Sequence, residues 1–282
     1  MLNLKDKETL YLKAKDTYYA GNPIMTDAEF DILEEKLKEA GSTVPFIVGS
    51  VKAGKFLHPS PMGTLGKLSV YDSNDMQKVI SEFDNWSLNI KSKGVYEFEV
   101  TPKFDGNSMN LVYEYGILEN ALTRGDGENG FDQKSKMLFI VPNKISIQEK
   151  IEVRGEVVIP IKIFDKKYAK KFKNARNFVA GILSRDEINK DIIKDLVFVA
   201  YELRIHKGNS FEFPLKNKTI DILTNLGFNK EYPIYVKYFN DIKEFKKIYD
   251  EFEEYREKYS PFQLDGMVIK GDEKYRNTIG FR

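Results

Sequence analysis

The stretch YEFEVTPKFDGNS, Tyr96 to Ser108, decides the reading of this chain. Taken in steps of two, Tyr96, Phe98, Val100 and Pro102 share one face of a strand, and Glu97, Glu99, Thr101, Lys103 and Asp105 share the other. The first face can anchor a strand in a core. The second is wholly polar and runs out, at a glycine, into a lysine beside a carboxylate.

More strands follow. SMNLVYEYGILENALTR reads as a hairpin turning near Glu114–Gly116. IEVRGEVVIP sets Ile151, Val153, Gly155, Val157 and Ile159 against Glu152, Arg154 and Glu156. LVFVAYELRI, residues 196–205, is a continuous apolar strand, and LDGMVIKG is a last short one. Helices are predicted over 75–85, 217–226 and 241–259, the last opened by a capping box of Asp241 and Glu244. Upstream, TDAEFDILEEKLKEAGS carries a capping box, Thr26 with Glu29, and stops at Gly41; ETLYLKAKDTYYAG precedes it as a shorter helix. The expected architecture is α+β: a helical hairpin domain with its Gly- and Pro-containing linker over 1–60, then a domain of antiparallel sheets with flanking helices over 61–282. Neither a Rossmann loop nor a P-loop is present.

The 282 residues are 41% hydrophobic, enough for a sizeable core, and carry a net charge of +1, which argues against a whole-molecule field for polyanions. Cysteine is absent, and with only His58 and His206 available a zinc module is excluded. With neither a membrane-length apolar run nor a signal-peptide pattern, a cytoplasmic protein without a membrane partner is expected. One basic stretch, FDKKYAKKFKNAR (Phe164 to Arg176), reads on its own as a solvated helix face.

Four segments place charge on a strand's polar face or in a glycine turn: Lys103/Asp105, Arg124/Asp126, Arg154/Glu156 and Asp265/Lys270. Together they suit an anionic ligand with a metal ion, because Lys and Arg hold phosphate oxygens while carboxylates hold Mg2+ or ribose hydroxyls. Lys103 is the candidate nucleophile. Neighbouring cations (Lys270, Arg124, a bound metal) would disfavour its ammonium form and free the amine to attack phosphorus.

In their order, KFDG, TRGDGENGFD, VRGEVVIP, NARNFVAG, LVFVAYEL and LDGMVIK resemble the motifs of NAD-dependent DNA ligases, over about residues 15–282. The resemblance implies a nucleotidyltransferase fold in which Lys103 attacks the AMP phosphorus of NAD, forms lysyl-AMP and releases nicotinamide mononucleotide. It further implies that Tyr18, Asp27 and Asp31, in YYAGNPIMTDAEFD, meet the nicotinamide half. Thr64 and Leu65 would border the nucleotide, and Arg124 would lie beside it. Thr101, where the family usually has a glutamate, would lie at the adenine edge. Glu156 would bond the ribose, Tyr201 stack on adenine and Lys270 contact the phosphate, with Asp105 and Arg176 toward the DNA. NAD and Mg2+ are the implied cofactors, with no metal ligand set identified. Nicked double-stranded DNA is the implied partner. A second chain carrying the oligonucleotide-binding and DNA-clamping domains is a further expectation, the chain being read as a fragment or as one subunit of a split ligase. Two other readings share the lysine: an ATP-using ligase or capping-type nucleotidyltransferase, and a non-catalytic module that binds nucleic acid or a partner.

Overall fold

The computed structural model describes residues 3–19, 24–42, 55–71, 76–185, 188–214, 218–272 and 275–281. Helices α1 (Leu4–Tyr19) and α2 (Asp27–Glu39) pair as the expected hairpin, with Tyr11 stacked on Phe30 at 4.6 Å and its hydroxyl donating to Glu34 at 2.8 Å. The capping box forms in both directions. Thr26 N donates to the Glu29 carboxylate at 2.8 Å, and Glu29 N donates to Thr26 Oγ1 at 3.3 Å. Gly41, at φ 71°, ends α2 as the Ser42 amide turns back to the Leu37 carbonyl.

Two five-stranded sheets make up the rest. The first runs in the order β10 (Lys237–Phe239), β3 (Phe98–Phe104), β11 (Leu264–Asp272), β12 (Tyr275–Phe281), β2 (Gly66–Tyr71). The second runs β5 (Ile117–Thr123), β4 (Asn107–Glu114), β7 (Ile151–Val158), β8 (Val197–Lys207), β9 (Ser210–Glu212). Every pairing is antiparallel except β12 with β2. A small ribbon joins β1 (Lys55–Leu57) to β6 (Asn129–Phe131). Tyr115 (φ 50°) and Gly116 (φ 76°) make the β4–β5 turn, both in the left-handed region that a two-residue hairpin of matching twist requires.

Each sheet buries its apolar face under helices. Phe98, Val100, Met267 and Ile269 pack against Val79, Phe83 and Ile90 of α3 (Met76–Lys91) and Phe245, Ile248 and Phe252 of α9 (Phe245–Glu254). Leu111, Val153 and Val157 of the second sheet pack with Phe178, Val179 and Ile182 of α6 (Ala175–Ser184). The opposite faces carry the polar residues, buried along β7, which is covered on both sides throughout, and part-exposed at Lys103 and Asp265. A small cluster of Phe104, Val158, Val199 and Phe262 links the two sheets.

Several expectations change. Helix α3 runs on to Lys91 because Trp86 and Ile90 continue the stripe begun by Val79 and Phe83. The helix expected over 241–259 has no capping box. A 3-10 turn (Ile242–Glu244) leads into α9, the Asp241 carboxylate takes the Lys243 amide at 2.9 Å, and a π turn (Tyr255–Tyr259) follows. LDGMVIKG is not the last strand; β12 follows it. The stretch read as linker contains β1 and the buried residues His58 and Ser60. Among the described residues no helix is long and apolar enough to cross a membrane.

Candidate nucleotide site

Strand β3 turns Thr101 and Lys103 to its polar side. Antiparallel β11 sets Gly266 opposite Lys103, Val268 opposite Thr101 and Lys270 opposite Glu99, so four polar groups share one wall. Lys103 Nζ donates to the Asp265 carboxylate, and both side chains remain about one-third exposed (32% and 34%), open to a ligand. Lys270 is buried and ion-paired to Glu99 at 3.0 Å. Just beyond the strand, the Asp105 amide holds the Gln263 carbonyl at 3.1 Å, and its carboxylate accepts from Arg176 Nη1 at 3.1 Å.

The facing wall belongs to the second sheet. Ser108 on β4 lies opposite Glu156 on β7 and donates to its carboxylate at 2.9 Å. The β7–β8 register slips between Arg154 and Gly155, which leaves Tyr201 as the extra residue of a bulge. That bulge aims the Tyr201 hydroxyl at Glu156, 3.4 Å away. Burial pushes the Glu156 carboxyl up to about 7; Ser108, Arg176 and Lys103 pull it down and Asp105 pushes it up. Those influences place the two walls within electrostatic reach of each other. Burial and the Glu156 charge also push the Tyr201 phenol above its ordinary range, keeping it a donor.

A further group gathers at the loop before β6. Arg124 Nη2 donates to Thr64 Oγ1 at 2.7 Å, with Leu65 half-buried beside that threonine. Arg124 Nε is buried without a partner among the described residues, a donor left for a ligand.

Thr101, Lys103, Asp105, Glu156, Arg176, Tyr201 and Lys270 thus line the two facing walls, and Thr64, Leu65 and Arg124 form an adjoining group. Tyr18 lies in the last turn of α1, and Asp27 and Asp31 lie in the first turns of α2. Their side chains fall outside the described residues.

Two members of the sequence constellation belong elsewhere. Asp126 clamps its own loop: it accepts from the amides of Glu128 (3.0 Å) and Asn129 (2.6 Å) and from Lys55 (2.9 Å). Burial opposes its charge, yet those donors win and hold the carboxyl down at about 2. Arg154 lies in a buried network. It donates to the Ser60 and Pro61 carbonyls at 2.5 and 3.0 Å and to Glu152 at 3.2 Å, and it sits 3.8 Å from Glu202. Glu152 also accepts from Ser60 (2.5 Å) and Asn110 (2.5 Å) and meets His206 at 2.7 Å. Glu202 accepts from Arg204 at 2.6 Å and from Arg276, which reaches across from the first sheet. Burial opposes both glutamates' charge, but these donors outweigh it and hold the two carboxyls below their ordinary range. The glycine of VRGEVV serves packing rather than ligand approach: a Cβ on Gly155 would stand 2.3 Å from the Val199 carbonyl.

The site also contains groups without an assigned role in the sequence reading: Ser108, Glu99 and, above all, Asp265 on the lysine. Glu99 carried a signal in its strand parity with Lys103, and Asp265 in its place in a DG turn ahead of Lys270 on one strand.

A reachable lysine at a strand end thus faces a glutamate and a bulged tyrosine on a second sheet. The model of the NAD-dependent DNA ligase adenylation domain matches residues 52–282, and the chain belongs to that family. A model of the PGRL1 N-terminal domain matches residues 1–73. The chain is 33% identical to the DNA ligase of Campylobacter hominis over 293 residues, covering 96% of this chain and 43% of that protein. It is 35% identical to the DNA ligase of Sulfurimonas denitrificans over 292 residues, covering 96% and 42%. It therefore spans less than half the length of these curated relatives. Among solved structures, a Naegleria gruberi RNA ligase with PPi aligns at a TM-score of 0.44 and 12% identity, over 83% of this chain and 59% of that one.

Proposed function

We propose that this chain carries out the first step of NAD-dependent DNA ligation. Family membership supports the use of NAD. The observation that carries the mechanism is Lys103, open to a ligand and held by Asp265 opposite Glu156 and Tyr201. The Lys103 ammonium gives one proton to the Asp265 carboxylate, its neutral Nζ attacks the phosphorus of the AMP half of NAD, and a second proton leaves to water. A nitrogen–phosphorus bond forms, and the bond to the phosphate oxygen of nicotinamide mononucleotide breaks. Arg124 and Lys270 stabilise the charge gathering on the phosphoryl oxygens. Glu156 takes the ribose hydroxyls, Tyr201 the adenine face, and Thr101 the adenine edge. Tyr18, Asp27 and Asp31 hold the nicotinamide half, with residues 1–60 acting as a unit beside the adenylation domain of 61–282.

Among the described residues no three His, Asp or Glu side chains converge on a metal position. Mg2+ takes one or two carboxylates and completes its shell with substrate phosphate oxygens. Asp105 would hold it, Asp265 being the proton acceptor, and it would neutralise phosphate charge. AMP then passes to the 5′-phosphate of a nick in duplex DNA, contacted by Arg176, and the 3′-hydroxyl displaces it. That sealing step draws on the domains the longer relatives carry, here or on a second chain.

The test is to incubate the chain with Mg2+ and either NAD or ATP and to weigh the intact protein. One added AMP from NAD alone supports the proposal; uptake from ATP alone, or from neither by folded protein, refutes it. Asp27→Ala should slow uptake from NAD by about 10- to 100-fold, the loss expected for one hydrogen bond to a charged group, while AMP binding to the pocket stays unchanged. Equal uptake by that variant would remove Asp27 from the nicotinamide site.

Glu156 adds a pH dependence. Its carboxyl titrates near 7 in the fold, against 4.5 ordinarily. The folded state thus holds this proton more tightly than the unfolded chain, so stability declines as pH rises from about 4.5 through about 7. Uptake should move the other way and climb across the same window, because only the ionised carboxylate accepts two hydroxyls. Glu156→Gln should flatten the thermal-melt trend between pH 5 and 8, measured without nucleotide; a trend that persists would place the titration elsewhere.

A further inference from the structure

The lysine-rich stretch ahead of Arg176 has no part in the chemistry above. Its residues divide into anchors and displayed charge. Phe164 is buried, Tyr168 stacks on Phe178 at 4.1 Å, and Phe172 meets the same ring edge-on at 5.0 Å. Tyr168 also donates to Asp195 at 2.5 Å, and Lys167 pairs with that carboxylate at 2.7 Å. Between these anchors Lys162, Lys166, Lys170, Lys171 and Lys173 are exposed. None of the five ammonium groups has an ion-pair or hydrogen-bond partner among the described residues.

The charge run around α9 behaves differently. There Lys246 pairs with Asp250 (2.7 Å), Lys247 with Glu251 (3.8 Å) and Lys258 with Glu254 (3.1 Å), each at i,i+4 or i,i−4 spacing, and the run neutralises itself. On a chain of net charge +1, the 162–173 segment is therefore a local cationic excess, fixed on an aromatic footing. It also has an address. Lys173 is three residues from Arg176, so its Cα lies within about 11 Å of the arginine's. Arg176 itself reaches Asp105 in the nucleotide site.

We infer that Lys166, Lys170, Lys171 and Lys173, with Lys162 behind them, form a phosphate-binding track that lays the DNA backbone across the mouth of the Lys103 pocket. The inference rests on the adenylation reading for its placement. The aromatic anchors order the backbone that carries the lysines before any strand arrives, and each phosphate the lysines neutralise releases condensed counterions. The track carries no sequence information; it sets the position of the strand.

The experiment compares three full-length chains on a labelled, nicked, 5′-phosphorylated duplex, with Kd measured from 50 to 300 mM salt. They are the wild type, K166Q/K170Q/K171Q/K173Q, and the control K246Q/K247Q/K258Q. The track variant should lose about 2–4 from the slope of log K against log salt and bind at least tenfold more weakly at 100 mM salt, while the control keeps the wild-type slope. Equal slopes for wild type and track variant would overturn the proposal, as would an equal drop in the control or displacement of the duplex by poly-glutamate at matched charge. AMP uptake from NAD, measured on the same samples, should be the same in all three. A wild type that takes up no AMP would refute the adenylation reading alone, since the slopes are read from binding.

Discussion

Replacing Lys103 by alanine should abolish AMP uptake from NAD, a loss of at least about a thousandfold on the scale seen when a covalent nucleophile is removed. The effect should be chemical rather than structural. Lys103 and Asp265 are each about one-third exposed, so the carboxylate left behind is hydrated, and an exposed pair of this kind adds little stability. Circular dichroism and the thermal midpoint should stay close to wild type. Lys103→Arg is the sharper variant: it retains the cation beside Asp265 but cannot deprotonate near neutral pH, so it should be equally inactive. Uptake by either variant, seen as an added AMP in the intact mass, would sink Lys103 as the nucleophile.

The second large effect is expected at a residue that touches no substrate. Arg154→Ala would strip Glu152 and Glu202 of a shared counterion and free the Ser60 and Pro61 carbonyls. Breaking a buried pair by removing one partner costs about 3–5 kcal/mol. For a chain of this size that corresponds to a drop of about 10 °C in the melting midpoint. Adding Glu152→Gln to the same chain should recover part of the loss, because Arg204 and Arg276 still neutralise Glu202 while Glu152 has lost its arginine. A midpoint for Arg154→Ala within 2 °C of wild type would show that the network contributes little.

That pair of predictions separates what could be read in the sequence from what could not. The place of Lys103 was legible because strand parity, a glycine and a carboxylate two residues on mark the same point at the end of β3. The turn at Tyr115–Gly116 and the Thr26–Glu29 box were legible because they are local. Arg154 and Glu156 lie on the same face of one strand and look equivalent in VRGEVV. The resemblance gives a role to Glu156 alone, and the register separates their surroundings, with Asn110 and Glu202 flanking Arg154 and Ser108 and Val199 flanking Glu156. Alternation likewise marks a polar face without saying whether it meets water, a ligand or another buried charge. The lysines of 162–173 and of α9 are equally basic as text; carboxylates at matched spacing silence one set and not the other.

The buried network also sets a timetable. Ser60 bonds partners 92 and 144 residues downstream, and Glu202 waits for Arg276, 74 residues further on. Contacts so distant along the chain close large loops before they return any energy, which slows folding and places them late. During synthesis the second sheet can pair its strands and bury its apolar side against α6 while Glu202 still lacks its cross-sheet partner. The ion pair that ties the two sheets is then made only when β12 arrives. A nascent chain stalled before Arg276 would hold a formed hydrophobic core and a buried Glu202 still short of that partner.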